Sequence, residues 1–309
     1  MNITRPEKGV VRSLALLAAA LTLAGCATAR RTALKQATTA SAGAIAAGDR
    51  GKALDLYQKL YEKDRANGKV VSRYAAVIEE VKAFADRAEN EDSYAAAQGA
   101  YRLLADRWDG FSALAPRLSF RKADLEASAK DCRLALAERQ FRQDIVAGNH
   151  AKALAAYQSA LKDYPQDMNM KARYLKGVAE ISGIAAEALG AGNYALAGQL
   201  NGLLLKHADS FAAAGDAVEA GGGVPTRSSL ADALKACSTG LTNVGLAEYR
   251  KGNLESAIAL WNGILAFDPG NTEIRKAVET TKAQLGKLKG SGRAGSRAAH
   301  SGRGAESVR

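Results

Sequence analysis

Aromatic residues make up only 6% of this 309-residue chain, and it holds five prolines, three cysteines and three histidines. Runs of β-branched residues are missing as well. Ala and Leu dominate the 47% of the chain that is apolar, which argues against sheets and for helices throughout. Catalytic signatures are also lacking. The histidines, His150, His207 and His300, have no second His, Cys or carboxylate at the spacing of H-E-x-x-H. There is no G-x-S-x-G, and Gly221 to Gly223 is not followed by Gly-Lys-Ser/Thr as in a phosphate-binding loop. No catalytic residue, metal ligand or cofactor is expected, and the chain reads as a binding protein, not an enzyme.

What is present begins with charge. The formal net charge is +11, with +2 on residues 1–25, +3 on 26–35 and +5 on 286–309, so residues 36–285 carry only +1. A nucleic-acid-binding fold needs a basic face on its body, so no nucleic acid is expected as a partner. Arg5, Lys8 and Arg12 precede the uncharged run Ser13–Gly25, whose 13 residues fall short of the ~20 that span a bilayer. A cationic start, a short apolar core and small residues at its end make a secretory signal. Leu23-Ala24-Gly25-Cys26 resembles the bacterial lipobox. That resemblance implies cleavage before Cys26, diacylglycerol on its thiol and acylation of its new amino group. Acyl chains on one residue would hold the protein at a membrane. Ala27, being other than Asp, is similar to the enterobacterial signal for the outer membrane, with the protein facing the periplasm.

The most informative stretch is 240–271. From Gly252, Ala257, Trp261 and Ile264 follow at five, nine and twelve residues, one helical stripe, and Pro269-Gly270-Asn271 is a stop. Upstream, Leu241, Val244, Leu246 and Tyr249 read as a second stripe, and Gly245 leaves room for a partner helix. Two short helices cannot bury both stripes alone, so the unit implies neighbours. The pattern resembles the tetratricopeptide (TPR) repeat, a helix pair of about 34 residues. Gly48, Asp92, Gly148 and Gly192 open further copies, carrying Ala53 and Tyr57, Ala97 and Tyr101, Ala153 and Tyr157, and Ala197. The turns lie 44, 56, 44 and 60 residues apart, so most helices should be longer than in the standard repeat.

A larger period underlies these intervals. Laid on 147–211 without a gap, 47–111 matches at Gly48, Lys52, Ala53, Leu54, Tyr57, Gln58, Arg73, Tyr74, Glu80, Asp109 and Phe111, among others. The polar identities exceed what a shared helical period would produce, and they indicate a duplicated four-helix module. The expected fold is all-α, a TPR-like solenoid of helical hairpins. Its order is a signal peptide over 1–25, a flexible tether over 26–44, modules over 45–116 and 117–220, a Gly-rich linker over 221–227, a C-terminal hairpin over 228–288 and a disordered basic tail over 289–309. Long helices are expected at roughly 119–147 and 228–250, bearing Cys132 and Cys237 as buried free thiols.

Tyr57, Tyr101, Tyr157 and Trp261 recur at one offset. Either they form a ligand-stacking ladder or they are core aromatics; the packing reading is favoured, because the offset is a packing position in the TPR family. That family lines its groove with first helices, which makes Glu138, Arg142, Tyr249 and Arg250 the candidates for contact with a protein partner or an extended peptide. The resemblance as a whole implies a lipid-anchored scaffold in an envelope assembly, secretion or pilus-type machine. The alternative is a lipoprotein that binds cell-wall or surface polymer through its basic tail. Replacing Cys26 by Ser is expected to release the protein from the membrane fraction. Continued sedimentation of the variant with membranes would count against the anchor.

Overall fold

The computed structural model describes residues 28, 30–217 and 223–301, and no strand occurs among them. The helices are α1 over 30–46, α2 (Arg50–Lys63), α3 (Gly68–Asn90), α4 (Tyr94–Asp106), the short α5 (Trp108–Phe111) leading into a 3-10 turn (Ser112–Arg117), and α6 (Lys122–Val146). Then come α7 (His150–Asp163), α8 (Met168–Gly190), α9 (Tyr194–Lys206), α10 (Ala208–Ala217), α11 (Arg227–Arg250), α12 (Leu254–Phe267) and α13 (Thr272–Ser301). Consecutive helices pack on one another: α2 on α3, α3 on α4, α7 on α8, α8 on α9, α11 on α12 and α12 on α13.

The 100-residue offset governs the element bounds. Helices α2, α3 and α4 have 14, 23 and 13 residues. Helices α7, α8 and α9 repeat those lengths from starts one hundred residues later. The five turns at the repeat openings share one backbone state, with φ of +80° at Gly48, +56° at Asp92, +72° at Gly148, +76° at Gly192 and +83° at Gly252. Each ends the preceding helix in the same way. At the first, Asp49 N–H donates to the Ala44 carbonyl at 2.8 Å and Gly48 N–H to that of Ile45 at 2.9 Å. This pair of bonds satisfies carbonyls that a helix end leaves orphaned and needs a left-handed residue. Asp92 adopts it without being glycine, as short polar residues do most readily.

The chain divides into two compact units, 1–136 and 137–309, so the division falls inside α6 and not at residue 117, where the sequence places a module boundary. The reason lies in the length of α6. Its Leu125, Ala129 and Cys132 join the core of the first unit, while Ala137 and Phe141 are buried further along it. In the first unit Tyr57 stacks on Tyr74 at 6.4 Å, and Phe111 meets the edge of Tyr74 at 6.3 Å. In the second, the Phe141 and Tyr157 rings lie 5.1 Å apart over Gly177, where an added Cβ would fall 3.0 Å from Phe141.

Three sequence expectations are corrected. Residues 30–44, assigned to a tether, are helical. Ala37, Ser41 and Ala44 are buried, and Thr38 Oγ1 lies 2.9 Å from Tyr57 Oη. The threonines that made the stretch look irregular instead return their hydroxyls to carbonyls four residues back, Thr38 to Leu34 at 2.8 Å and Thr39 to Lys35 at 3.2 Å. Residues 289–301, assigned to a disordered tail, continue α13; the run holds no proline to stop a helix, and 302–309 lie outside the described residues. Finally, α11 buries Leu230, Cys237, Leu241 and Gly245, leaving Val244 and Leu246 43% and 38% exposed. Val244 falls at the edge of the stripe through 237, 241 and 245, and Leu246 on the far side of the helix. The linker is seen only in part: 221–222 lie outside the described residues, Gly223 to Thr226 are non-helical, and α11 takes the last linker residue, Arg227.

Small residues set how closely the helices approach. A Cβ on Gly245 would fall 2.3 Å from Trp261 Nε1, so Gly245→Ala is expected to cost about 1–3 kcal/mol, as overpacking does. Gly183 is helical, exposed and has nothing within 4 Å of such a Cβ. Gly183→Ala should therefore stabilise by about 0.5–1 kcal/mol. Thermal unfolding of the two variants should move the midpoint in opposite directions.

Candidate functional site

The residues singled out for repeat packing fall where packing requires them. Ala53, Ala153, Ala197 and Ala257 are fully buried, and Tyr57, Tyr101, Tyr157 and Trp261 are at most 6% exposed. A ring with no free face cannot stack on a ligand, so the recurring aromatics are core. Pro269 stands between α12 and α13, where Asn271 Oδ1 accepts from Ile274 N–H at 3.1 Å and caps α13. Cys26 and the preceding Leu23, Ala24 and Gly25 lie outside the described residues.

The four candidate contact residues separate into two kinds. Glu138 is engaged by Arg173 at 2.9 Å. Tyr249 donates its hydroxyl to Gln284 Oε1 at 2.8 Å, which ties α11 to α13, and its ring centre lies 6.0 Å from that of Trp261. Arg142 and Arg250 are exposed. Glu138 and Arg142 lie on α6, Tyr249 and Arg250 on the last turn of α11.

Sequence reasoning missed the apolar surface nearby. Tyr249, Gly252, Leu254, Gln284, Lys287 and Leu288 line a cleft of 450 Å³, and Leu288 is 62% exposed. Together with Val244 and Leu246 on α11, it places three large aliphatic side chains at the surface of the second unit. The signal was legible: Val244 and Leu246 stand two apart, a spacing that one helical stripe cannot bury.

Two polar networks were also missed, because each joins residues far apart in sequence. Tyr101 donates its hydroxyl to Asp86 at 2.7 Å or Glu89 at 2.6 Å, and Lys82 reaches Asp86 at 2.6 Å. Burial, then the bonds to Glu89 and Asp86, push the Tyr101 hydroxyl well above the usual tyrosine range. In the second unit, Gln158 Nε2 lies 2.8 Å from His207 Nδ1 and 3.3 Å from Tyr174 Oη. As the amide nitrogen donates, Nδ1 accepts. Burial, then Lys206, lower the His207 pKa, favouring the neutral ring that this bond needs. Arg107, one hundred residues before His207, plays the corresponding role in the first unit, donating to the Gly51 carbonyl at 3.2 Å and pairing with Asp55. Both residues cap a helix and tie it back to the first helix of their copy. Among the described residues no three His, Cys, Asp or Glu side chains gather as a metal would require.

Cys132 and Cys237 are free and buried. Burial first, then Glu89 and Asp131, push the Cys132 thiol from 9.0 to about 12; burial also raises Cys237. A group whose pKa is raised by folding stabilises the fold below its unfolded value and ceases to as pH climbs toward the folded one. The contribution of Cys132 should thus fade between 9.0 and about 12. At about pH 8 neither thiol is expected to react with a disulfide reagent until denaturant is added, when both should; rapid titration of either in the native protein would contradict the burial. Compared with known proteins, the chain matches no protein-family model and no curated protein sequence.

Proposed function

We propose that the chain is a TPR-like helical-repeat lipoprotein, held by acylated Cys26 to the outer membrane on its periplasmic side, that binds a protein partner in an envelope assembly, secretion or pilus-type machine. The repeat reading is supported by matched helix lengths at a 100-residue offset and by five left-handed turns that end their helices alike. In such an array each hairpin buries its neighbour's stripe and leaves one face of its first helix free.

The observation that carries the binding reading is on α11, the first helix of its pair. It buries one stripe and still presents Leu246 to solvent, with Arg250 exposed one turn on along the same side. Aliphatic groups beside a charge make a suitable contact for an apolar segment with an acidic flank. The mechanism is binding alone. A rigid array offers the face, and the anchor raises the local concentration of a partner that shares the membrane.

The test is photo-crosslinking in intact envelopes from an unnatural side chain at Leu246, with Gln199, exposed on α9, as control. One discrete adduct from Leu246, absent from Gln199 and reduced about tenfold by Arg250→Glu, is the expected result. Equal labelling from both positions would overturn the reading.

A further inference from the structure

The strongest charged feature lies in the first unit, away from α11. The N-terminal halves of α1 and α3 line a groove of 760 Å³ that contains Arg31 and Lys35 from α1 and Lys69 and Arg73 from α3. Thr38, Thr39 and Ser72 add hydroxyls, and no carboxylate lines it. All four cations are exposed. Next to Arg31, Arg30 is paired with Asp64 at 3.5 Å. Each helix contributes its pair at a spacing of four residues, so each pair shares one face. Helix α3 also begins at this end, adding the positive end of its backbone dipole.

The fold does not require these cations, as the duplication shows. Positions 37, 41 and 44 of α1 and 137, 141 and 144 of α6 are all buried, so the two helices share one register. In that register Arg31, Lys35 and Lys69 correspond to Asp131, Ala135 and Asn169. Only Arg73 has a basic counterpart, Arg173, which is taken up by Glu138 at 2.9 Å. Thr38, the counterpart of Glu138, is uncharged. The second copy keeps the same helix lengths with its charges balanced, so the four like charges of the first copy do not serve packing and repel one another without an anion.

We infer that this groove binds the phosphate headgroups of anionic phospholipid at the membrane surface. Position in the chain selects the headgroup over an acidic protein segment. Cys26 precedes Arg31 by five residues, a span of at most roughly 18 Å, so an acyl chain at Cys26 brings the bilayer surface to this end of α1 and α3. Anionic headgroups attract juxtamembrane cations within a Debye length, and the groove gives four of them a shared concave face. The inference rests on the anchor reading for the location of the membrane, and on charge and geometry for the binding.

The experiment measures acetylation of Lys35 and Lys69, by mass spectrometry, on the purified full-length mature protein. The protein is placed with vesicles of phosphatidylcholine alone or with a third phosphatidylglycerol. Roughly tenfold slower acetylation of both lysines on the anionic vesicles, lost at high salt and lost in the Arg31→Gln, Arg73→Gln double variant, is expected. The exposed Lys176 of α8 should react equally on both. Equal rates for Lys35 and Lys69 on the two vesicles would overturn the inference. So would protection by soluble hexaglutamate on phosphatidylcholine vesicles without protection by phosphatidylglycerol, which would assign the groove to an acidic protein segment. The same mass spectra report acylation of Cys26. An unacylated cysteine removes the anchor reading alone, and the protein mixed with the same vesicles still decides the groove by the same two rates.

Discussion

A ring can enter the space between two helices only where the facing helix gives up its side chain, and that exchange governs the packing. Trp261 occupies the place of a Cβ at Gly245, Tyr194 that at Gly240 and Phe267 that at Gly198, each within 2.7 Å of where that carbon would lie. Ala53, Ala153, Ala197 and Ala257 do the same within the hairpins, all fully buried. A chain with 6% aromatics has few rings to fill space, so it closes its helices together elsewhere with alanine. Burying a large side chain contributes about 1.5–3 kcal/mol, and the few rings present are placed where several helices share them. Asn201 illustrates the rule from the other side. It stands at the aromatic offset of α9, is 5% exposed and returns its amide to the Ala197 carbonyl at 2.8 Å. Phe267 of α12 fills the adjacent notch at Gly198 and Gly202 instead.

Much of this was legible in the sequence because it is local or periodic. The five turns were found from Gly-Asn, Gly-Asp and Asp-Ser pairs, and each is a left-handed helix end. The duplication was legible because polar positions matched as well as apolar ones. The shared burial of Tyr74 and Tyr174, and of Ala85 and Ala185, gives the apolar identities among them a physical reason. What escaped was whatever depends on a partner distant in sequence. Composition made 30–44 a tether, because threonine and serine favour irregular backbone in isolation; burial against α2 overrides that preference, as Ser41 and Ala44 show. Likewise, Glu138 and Tyr249 looked like surface groups until Arg173 and Gln284 were brought to them.

The correction at α1 alters the functional picture. A free tether over 26–44 would let the body wander roughly 65 Å from the bilayer. With helix described from residue 30, Cys26 stands four positions before it, a reach of at most roughly 14 Å. With so short a link, an acylated Cys26 would bring the first helix pair to the membrane, and its surface would then have to suit headgroups. Arg31, Lys35, Lys69 and Arg73 give it that character, whereas the second copy balances its charges. Duplication explains how both demands are met in one chain. Two copies with one packing solution leave the exposed positions of each free to differ, because nothing in the shared core depends on them. One part of the basic charge, +3 on residues 26–35, therefore stands beside the expected anchor, while residues 36–285 stay near neutral and carry exposed aliphatic groups on α11. A protein built this way would separate attachment from recognition by giving each its own helix pair.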